Sequence, residues 1–137
     1  MQKLFLDTNV VIDFLGERKP FYTAIAKVLT LADQKKINVS ISPSSISTTY
    51  YLLSKYENSV SALDKIRKFK LLCHMSLMND DVIEKALHSN FKDFEDAIQY
   101  YSAIESKCDI IITRNERDFK EALIPVMNAE NYLKTLK

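Results

Sequence analysis

The run Leu4-Phe5-Leu6-Asp7 is a short apolar segment that ends at a carboxylate, and it decides the fold. Apolar side chains at consecutive positions are typical of a strand buried on both faces of a parallel sheet. Comparable runs occur at residues 37–41 and 110–112, and weaker ones at 72–77 and 125–127. The sequence therefore predicts a central sheet whose first strand precedes Asp7.

Between these runs, apolar residues recur at helical spacing in the segments 22–32, 46–53, 60–69 and 94–104. Strands that alternate with helices of this length favour βαβ units, a parallel sheet and helices on both of its faces. The sequence contains no internal repeat and no Pro/Gly/Ser linker. We expect a single three-layer α/β domain over residues 1–137, with a central parallel β-sheet flanked by helices.

The composition excludes several classes of protein. The chain has one glycine, Gly16, whereas Walker loops and dinucleotide-binding turns need several. Because the formal net charge of the chain is only +1, any nucleic-acid partner must bind to a local basic patch. Cys73 and Cys108 lack a C-x-x-C partner and are expected to be reduced core thiols. Because neither a signal peptide nor an apolar run of ~20 residues is present, we expect a cytoplasmic protein without membrane contact.

Three acids from distant parts of the chain are expected to meet at one edge of the sheet. Ligands of parallel α/β sheets bind at the carboxyl ends of the strands. Asp7 follows the first strand, Asp118 follows the strand at 110–112, and Asp96 begins the helix that leads into that strand. Two carboxylates ~4 Å apart repel by ~4 kcal/mol at an effective dielectric of ~20, so three cannot all stay ionised unaided. A divalent cation resolves this conflict, and ligands that are all oxygen favour Mg²⁺ or Mn²⁺ over Zn²⁺.

Each of these acids also has a structural explanation. In that case Asp93 and Asp96 stabilise the N-terminus of their helix through its dipole, and Asp118 is a solvated acid in a loop. Asp13 is expected to be an exposed helix residue. Asp7 is the hardest to explain in this way, because a carboxylate directly after a buried strand is costly to desolvate without a partner.

Three stretches together resemble the PIN domain family, and within it the VapC-like toxin nucleases. They read LDTNVVIDFL at 6–15, DFEDA at 93–97 and IITRNERDF at 111–119. The resemblance covers essentially the whole chain. It implies a PIN-like nuclease domain over residues 1–137 and a metal-dependent ribonuclease, with a quartet of acids around one or two Mg²⁺ or Mn²⁺ ions.

The resemblance also assigns roles to individual residues. Asp7 matches the first acid of the quartet and Asp96 the third. The fourth position falls on Asn115, and Asp118 follows closely as an additional acid. Thr113 matches the hydroxyl residue that ends the strand near the metal. These five residues are the candidate catalytic set, and its three aspartates are the candidate metal ligands.

Other residues are expected to support the site. Thr8 and Asn9 would steady the loop of the first acid by hydrogen bonds, as the resemblance implies. Asp93 shares a helix side with the third acid, three residues further on. Arg114 lies beside the cleft, where it would meet an RNA phosphate or form a structural ion pair.

One position departs from the family pattern. The family places its second acid, a Glu, early in the helix after the second strand, and this position falls on Thr48. A neutral hydroxyl supplies no full negative charge, so the site is expected to hold its cation more weakly, or to hold one ion instead of two. Because Asn115 is neutral as well, a catalytically weakened or inactive PIN-like module that binds RNA or protein is the first alternative.

The function predicted by these residues is hydrolysis of an RNA phosphodiester by a metal-activated water. The three aspartates would bind or orient the metal, and Asn115 and Thr113 would hold waters. A phospho-acceptor α/β protein is the second alternative, since it also has an acid after its first strand. That class has a further acid two residues after Asp7, or an acidic pair before it, whereas this chain has Asn9 and no acid before Asp7.

The resemblance extends to partners. VapC-like nucleases are toxins that meet an antitoxin protein and form homodimers, so the same is expected here, with RNA as substrate. The helical segments 22–32 and 46–56 are the predicted partner-facing surface.

Overall fold

A parallel sheet lies at the centre of the computed structural model, which describes residues 1–136. Its strands within that range are β1 (Lys3–Leu6), β2 (Asn38–Ile41), β3 (His74–Met75), β4 (Ile110–Ile112) and β5 (Val126–Met127). They lie side by side in the order β3-β2-β1-β4-β5, and each neighbouring pair is parallel. The predicted parallel sheet is confirmed, with β1 at its centre.

Helices connect the strands. Those of residues 1–136 are α1 (Thr8–Leu15), α2 (Tyr22–Asp33), α3 (Pro43–Tyr56), α4 (Ser59–Lys70), α5 (Asp80–Leu87), α6 (Phe94–Glu105) and α7 (Ala129–Lys134). The predicted helical segments are all present. The strands expected at 37–41 and 72–77 are shorter than predicted. The second of these, β3, has only two residues, both exposed. It lies at the edge of the sheet and pairs with a neighbour on one side only.

The two faces of the sheet carry different helices. Leu4 and Leu6 of β1 pack with α1, α2, α3, α4 and α7, whereas Phe5 points to the opposite face and packs with α6. All three side chains are at most 1% exposed, and burying each contributes ~1.5–3 kcal/mol. This arrangement confirms the three-layer α/β class.

Two further expectations are tested by the fold. Cys73 and Cys108 are buried and free, as predicted for core thiols. Within residues 1–136, none of the helices combines the length and apolar character that a bilayer crossing requires.

The register between β1 and β4 positions the site. Leu6 pairs with Ile112, and the ladder continues for one more bond, from the backbone N–H of Asp7 to the carbonyl of Ile112. Asp7 and Thr113 each directly follow their strand, so they become neighbours at its carboxyl end. The start of α6 is delivered to the same edge.

Candidate active site

Asp7 occupies the turn between β1 and α1, where it caps the helix. Its Oδ1 accepts a hydrogen bond of 2.9 Å from the backbone N–H of Thr8. Its Oδ2 accepts one of 2.9 Å from the hydroxyl of Thr113. The residue is only 5% exposed, so both oxygens are fixed by the fold at the end of the central strand.

Thr113 is the hydrogen-bonding hub beneath Asp7. Its Oγ1 donates to Asp7 and accepts from Asn9 Nδ2 at 3.3 Å and from the backbone N–H of Asn115 at 3.1 Å. A hydroxyl has one proton and two lone pairs, so its capacity is used within the protein. This corrects the expectation that Thr113 holds a water: the buried hydroxyl positions Asp7 instead.

The orientation of Asn9 leaves one acceptor without a donor. Because Nδ2 faces the Thr113 hydroxyl, Oδ1 points away from it, and this oxygen is buried without a hydrogen-bond partner among residues 1–136. Buried polar atoms almost always have a partner. The site therefore contains a carboxamide oxygen able to face a cation or a water.

Asp96 enters the site from the first turn of α6. Asp93 is the N-cap of that helix, and its Oδ1 accepts a hydrogen bond of 3.1 Å from the backbone N–H of Asp96. The structural role considered for Asp93 is thus present. Asp96 is half-buried, and its carboxylate carries no helix-capping bond, so it is available to a ligand.

The environment raises the pKa values of both aspartates. Burial raises the pKa of Asp7 to about 6, against the hydrogen bonds from Thr113 and the Thr8 N–H, which lower it. The charges of Asp118 and Glu95 raise it further. Two carboxyl groups beyond Asp7 itself thus act on the end of β1.

For Asp96, burial comes first and the neighbouring acids Asp93, Asp7, Asp118 and Glu95 follow, and together they raise its pKa to about 7. The causes of both shifts include the charges of acids from other parts of the chain, which is the electrostatic conflict that the sequence analysis expected at this edge of the sheet. A bound cation would relieve it.

Glu95 is an acid of this cluster that the sequence analysis missed. It lies in the first turn of α6 and is exposed, directly before Asp96. The signal was available, because Glu95 is part of the DFEDA stretch at 93–97.

The predicted three-carboxylate ligand set is not assembled as such. Residues 1–136 contain no group of three or more His, Cys, Asp or Glu side chains close enough to hold one ion. Asp118 lies on an exposed 3₁₀ turn, Glu116–Phe119, and acts on Asp7 and Asp96 through its charge.

The donors that are present still fit a hard dication. Mg²⁺ keeps several waters and is commonly bound through one or two carboxylates. Asp7 and Asp96 provide two, and the unpaired Oδ1 of Asn9 provides a neutral oxygen nearby. This all-oxygen set suits Mg²⁺ or Mn²⁺ rather than Zn²⁺.

Helix α3 contributes neutral hydroxyls to this region. Ser42 caps the helix, and the buried hydroxyl of Ser45 lies 2.7 Å from the hydroxyl of Thr8. Thr48, aligned with the second family acid, lies one turn further along and is half-buried. The direct link from α3 to the Asp7 loop is therefore made by Ser45, which the sequence analysis did not single out.

Arg114 is held in an ion pair. Its Nε donates to Oδ2 of Asp13 at 2.7 Å, and its guanidinium lies 4.9 Å from the ring centre of Phe21. Asp13 is 0% exposed, so the expectation of an exposed helix residue was wrong. Ion pairs with Arg114 and, at 3.8 Å, with Arg18 offset the free-energy cost of burying the Asp13 carboxylate. Of the two roles considered for Arg114, the structural ion pair is the one observed.

Asn115, which was expected to hold a water, stands at the start of the turn after β4, and that expectation stays a prediction. Its side chain is exposed, while its backbone N–H supports Thr113 and its carbonyl accepts from the N–H of Asp118. Its backbone thus shapes the turn that carries Asp118.

Comparison with known proteins gives one family. The PIN domain family model matches residues 3–117. Ribonuclease VapC1 of Aquifex aeolicus (strain VF5) is 29% identical over 136 residues, which cover 96% of this chain and 93% of that protein.

Solved structures share the fold at low sequence identity. DNA-bound VapBC from Salmonella typhimurium aligns with a TM-score of 0.73 and 17% identity, covering 94% of this chain and 99% of that one. VapBC2 from Rickettsia felis, bound to a DNA fragment from its promoter, gives 0.68 and 16%, covering 93% and 98%. The sarcin-ricin loop cleaving toxin VapC20 from Mycobacterium tuberculosis gives 0.61 and 15%, covering 79% and 86%.

Proposed function

The chain belongs to the PIN domain family, and we propose that it is an endoribonuclease that uses Mg²⁺ or Mn²⁺ to hydrolyse phosphodiester bonds of RNA. The observation that carries this proposal is the buried carboxylate of Asp7, fixed at the end of the central strand by two hydrogen bonds, with Asp96 in the first turn of α6, the helix that leads into the neighbouring strand β4. The name of the Aquifex relative, a ribonuclease, agrees with it. Family membership also argues against the phospho-acceptor alternative.

Each residue of the site has a defined task in this proposal. Asp7 and Asp96 hold the dication, and Thr113 keeps Asp7 in place through its hydroxyl. Asp118 and Glu95 add negative potential at the rim, where they attract the ion and orient its waters. When bound, the dication supplies Lewis acidity and lowers the pKa of a water that attacks phosphorus.

RNA phosphates also need cations on the protein. Arg114 is committed to Asp13, whereas Arg117, on the same loop, is exposed and forms no ion pair with residues 1–136. We therefore assign the phosphate contact to Arg117 rather than to Arg114.

A metal-binding module without cleavage is the second candidate. The neutral Ser45 and Thr48 on α3 and the exposed Asn115 favour it, because the site then has fewer carboxylates around the ion. In that case the protein binds Mn²⁺ and RNA but does not cut.

Cleavage assays separate these functions. We expect the purified chain to cut a fluorescent RNA in Mg²⁺ or Mn²⁺, to stop in EDTA, and to resume when Mn²⁺ is restored. Asp96→Asn should lose most of this activity, while Asp33→Asn should retain it, because Asp33 is exposed at the end of α2, which leads to the opposite edge of the sheet. Cleavage that persists in EDTA, or that is equal in Asp96→Asn, would rule out the proposed nuclease; Mn²⁺ binding without cleavage would favour the module.

We further propose that the chain is the toxin of a toxin–antitoxin pair and forms a homodimer. The solved neighbours from Rickettsia felis and Salmonella typhimurium are VapBC complexes, which supports the antitoxin partner. Along α3 and at the start of α4, Tyr51, Tyr56 and Val60 are 63%, 77% and 77% exposed, and both tyrosines lie in the segment 46–56 that was predicted to face a partner, so we assign the dimer surface to this region.

Light scattering tests the homodimer. We expect a mass near twice 15.8 kDa at tens of micromolar protein, and a shift toward the monomer in Tyr56→Lys. A monomer in the wild-type chain at that concentration would contradict the proposed homodimer.

A further inference from the structure

Gln99 is a buried carboxamide on the helix that carries Asp96. It lies three residues after Asp96, so both side chains belong to the same side of α6. Gln99 is only 1% exposed, and it lies in a buried stretch whose other members, Ala97, Ile98 and Tyr100, are largely apolar. A polar side chain in this position is costly unless its groups are hydrogen-bonded.

The hydrogen bonds of Gln99 all reach the start of α3. Nε2 donates to Ser42 Oγ at 2.8 Å and to Ser44 Oγ at 3.1 Å. Oε1 accepts from Ser45 Oγ at 3.4 Å. Both ends of the carboxamide are therefore satisfied, and among residues 1–136 these are the hydrogen bonds that join α6 to α3.

The connection continues from α3 to the first carboxylate. The hydroxyl of Ser45 lies 2.7 Å from the hydroxyl of Thr8, and the backbone N–H of Thr8 donates to Asp7 Oδ1. Gln99, Ser45 and Thr8 thus form a buried path from the helix of Asp96 to the loop of Asp7. Thr113 supports Asp7 from the opposite oxygen.

We propose that Gln99 is a positioning residue that sets the spacing between Asp96 and Asp7, so that one dication can be held by both. This inference rests on the proposed function. Gln99 does not touch the ion; it fixes α6 against α3 and the Asp7 loop. Groups that hydrogen-bond directly to metal ligands typically affect metal affinity by about 10–100-fold, and Gln99 acts one step further out, so we expect an effect at the lower end of that range.

If Gln99 served only the stability of the fold, Gln99→Met would lower stability without a specific loss of metal affinity, and Gln99→Met is chosen to separate the two. Met has nearly the shape of Gln and fills the same space without polar atoms, and the serines can still bond to one another, with Ser42 Oγ 2.9 Å from Ser44 Oγ and 3.1 Å from Ser45 Oγ. Removing one partner of a buried hydrogen bond is costly when the other partner is left unsatisfied, and these serine–serine bonds limit that cost. The site should therefore lose metal affinity while the fold persists.

The test compares Gln99→Met with Gln34→Met, a matched change at an exposed residue after α2. Mn²⁺ affinity is measured by EPR and calorimetry, and kcat and KM on RNA are measured at a fixed Mn²⁺ concentration. We expect the Mn²⁺ dissociation constant to rise about 10-fold or more in Gln99→Met, with KM for RNA within about twofold of wild type. Gln34→Met should match wild type in both.

Two further variants keep the inference falsifiable if Gln99→Met is poorly folded. Ser45→Ala cuts the path at its centre and should also weaken Mn²⁺ binding. Gln99→Glu should rescue affinity to near wild type, because the serine hydroxyls can turn to donate to a carboxylate. Wild-type Mn²⁺ affinity in a folded Gln99→Met or Ser45→Ala would overturn the proposal.

A readout without metal separates this inference from the proposed function. In the metal-free chain, the amide resonances of Asp7 and Thr8 should shift in Gln99→Met and stay in place in Gln34→Met. If they shift while wild type neither binds Mn²⁺ nor cuts RNA, the nuclease is wrong and the positioning path stands. If they do not shift in Gln99→Met, the path is wrong, whatever the activity.

Discussion

Asp7→Asn is expected to reduce RNA cleavage by about 10³-fold or more while leaving the chain folded. Asn caps helices as well as Asp does and has the same size, so α1 keeps its start at Thr8. The substitution removes the negative charge that holds the dication, and several kcal/mol of catalysis depend on that ion. Single-turnover cleavage in Mn²⁺ measures the effect, with Asp33→Asn as the control. A loss below about tenfold would contradict the role of Asp7.

The stability of the same variant relative to wild type should rise with pH between about 4 and 7, on top of a constant cost for the lost bond from the Thr113 hydroxyl. In the folded chain the pKa of Asp7 is about 6, raised from 3.8 chiefly by burial. The stability that the protonated form contributes is therefore complete below pH 4 and lost as the pH rises through 6. The loss amounts to about 3 kcal/mol. Asp96, more exposed to solvent, acts in the same direction.

Urea unfolding between pH 4 and 8 in EDTA resolves this effect as the difference between Asp7→Asn and wild type. We expect the free energy of unfolding of the variant, relative to wild type, to be lowest at pH 4 and to increase by about 3 kcal/mol up to about pH 7. A difference that is constant with pH would show that Asp7 ionises in the folded chain as it does in the unfolded one.

Arg114→Met is expected to lower the free energy of unfolding by about 3–5 kcal/mol. Asp13 is 0% exposed and depends on the 2.7 Å bond from Arg114 Nε, because Arg18 remains at 3.8 Å. Removing one partner leaves a buried charge poorly compensated. Arg117→Met, an exposed change on the same loop, should cost less than about 0.5 kcal/mol in the same urea titration.

The double variant Asp13→Leu with Arg114→Met completes the cycle. Replacing both members of a buried pair by apolar residues is often neutral, so most of the lost stability should return. If Arg114→Met costs less than 1 kcal/mol, or if the double variant is the least stable of the set, the ion pair does not hold α1 to the loop after β4.

The edge of the sheet that carries the site follows from local sequence. Leu4–Leu6 and Ile110–Ile112 are apolar enough to be buried, and parallel strands place the residues that follow them at one edge. Asp7 and the residues that follow β4 were therefore predicted to share this edge, which is where Thr113 lies. What this argument lacked was the hydrogen-bond capacity of Thr113, which is used within the protein and leaves no place for a water.

Hydrophobic periodicity does not predict which side chains from distant segments of the chain contact each other. Asp13 was expected to be exposed because an acid on a helix usually is. Its partner Arg114 lies 101 residues further along the chain, and no local sequence pattern indicates that the two residues pair. The apolar residues around Asp13 and around Gln99 are the signal that was present, since a polar residue within an apolar stripe often marks a buried, paired group.

The central claim is that Asp7 and Asp96 hold the same dication. Crystals grown with saturating MnCl₂ test it through anomalous difference density. We predict one peak within about 2–2.5 Å of a carboxylate oxygen of Asp7 and of Asp96, with waters completing its coordination. Density that lies away from Asp7, or an empty map at this edge of the sheet, would contradict the account.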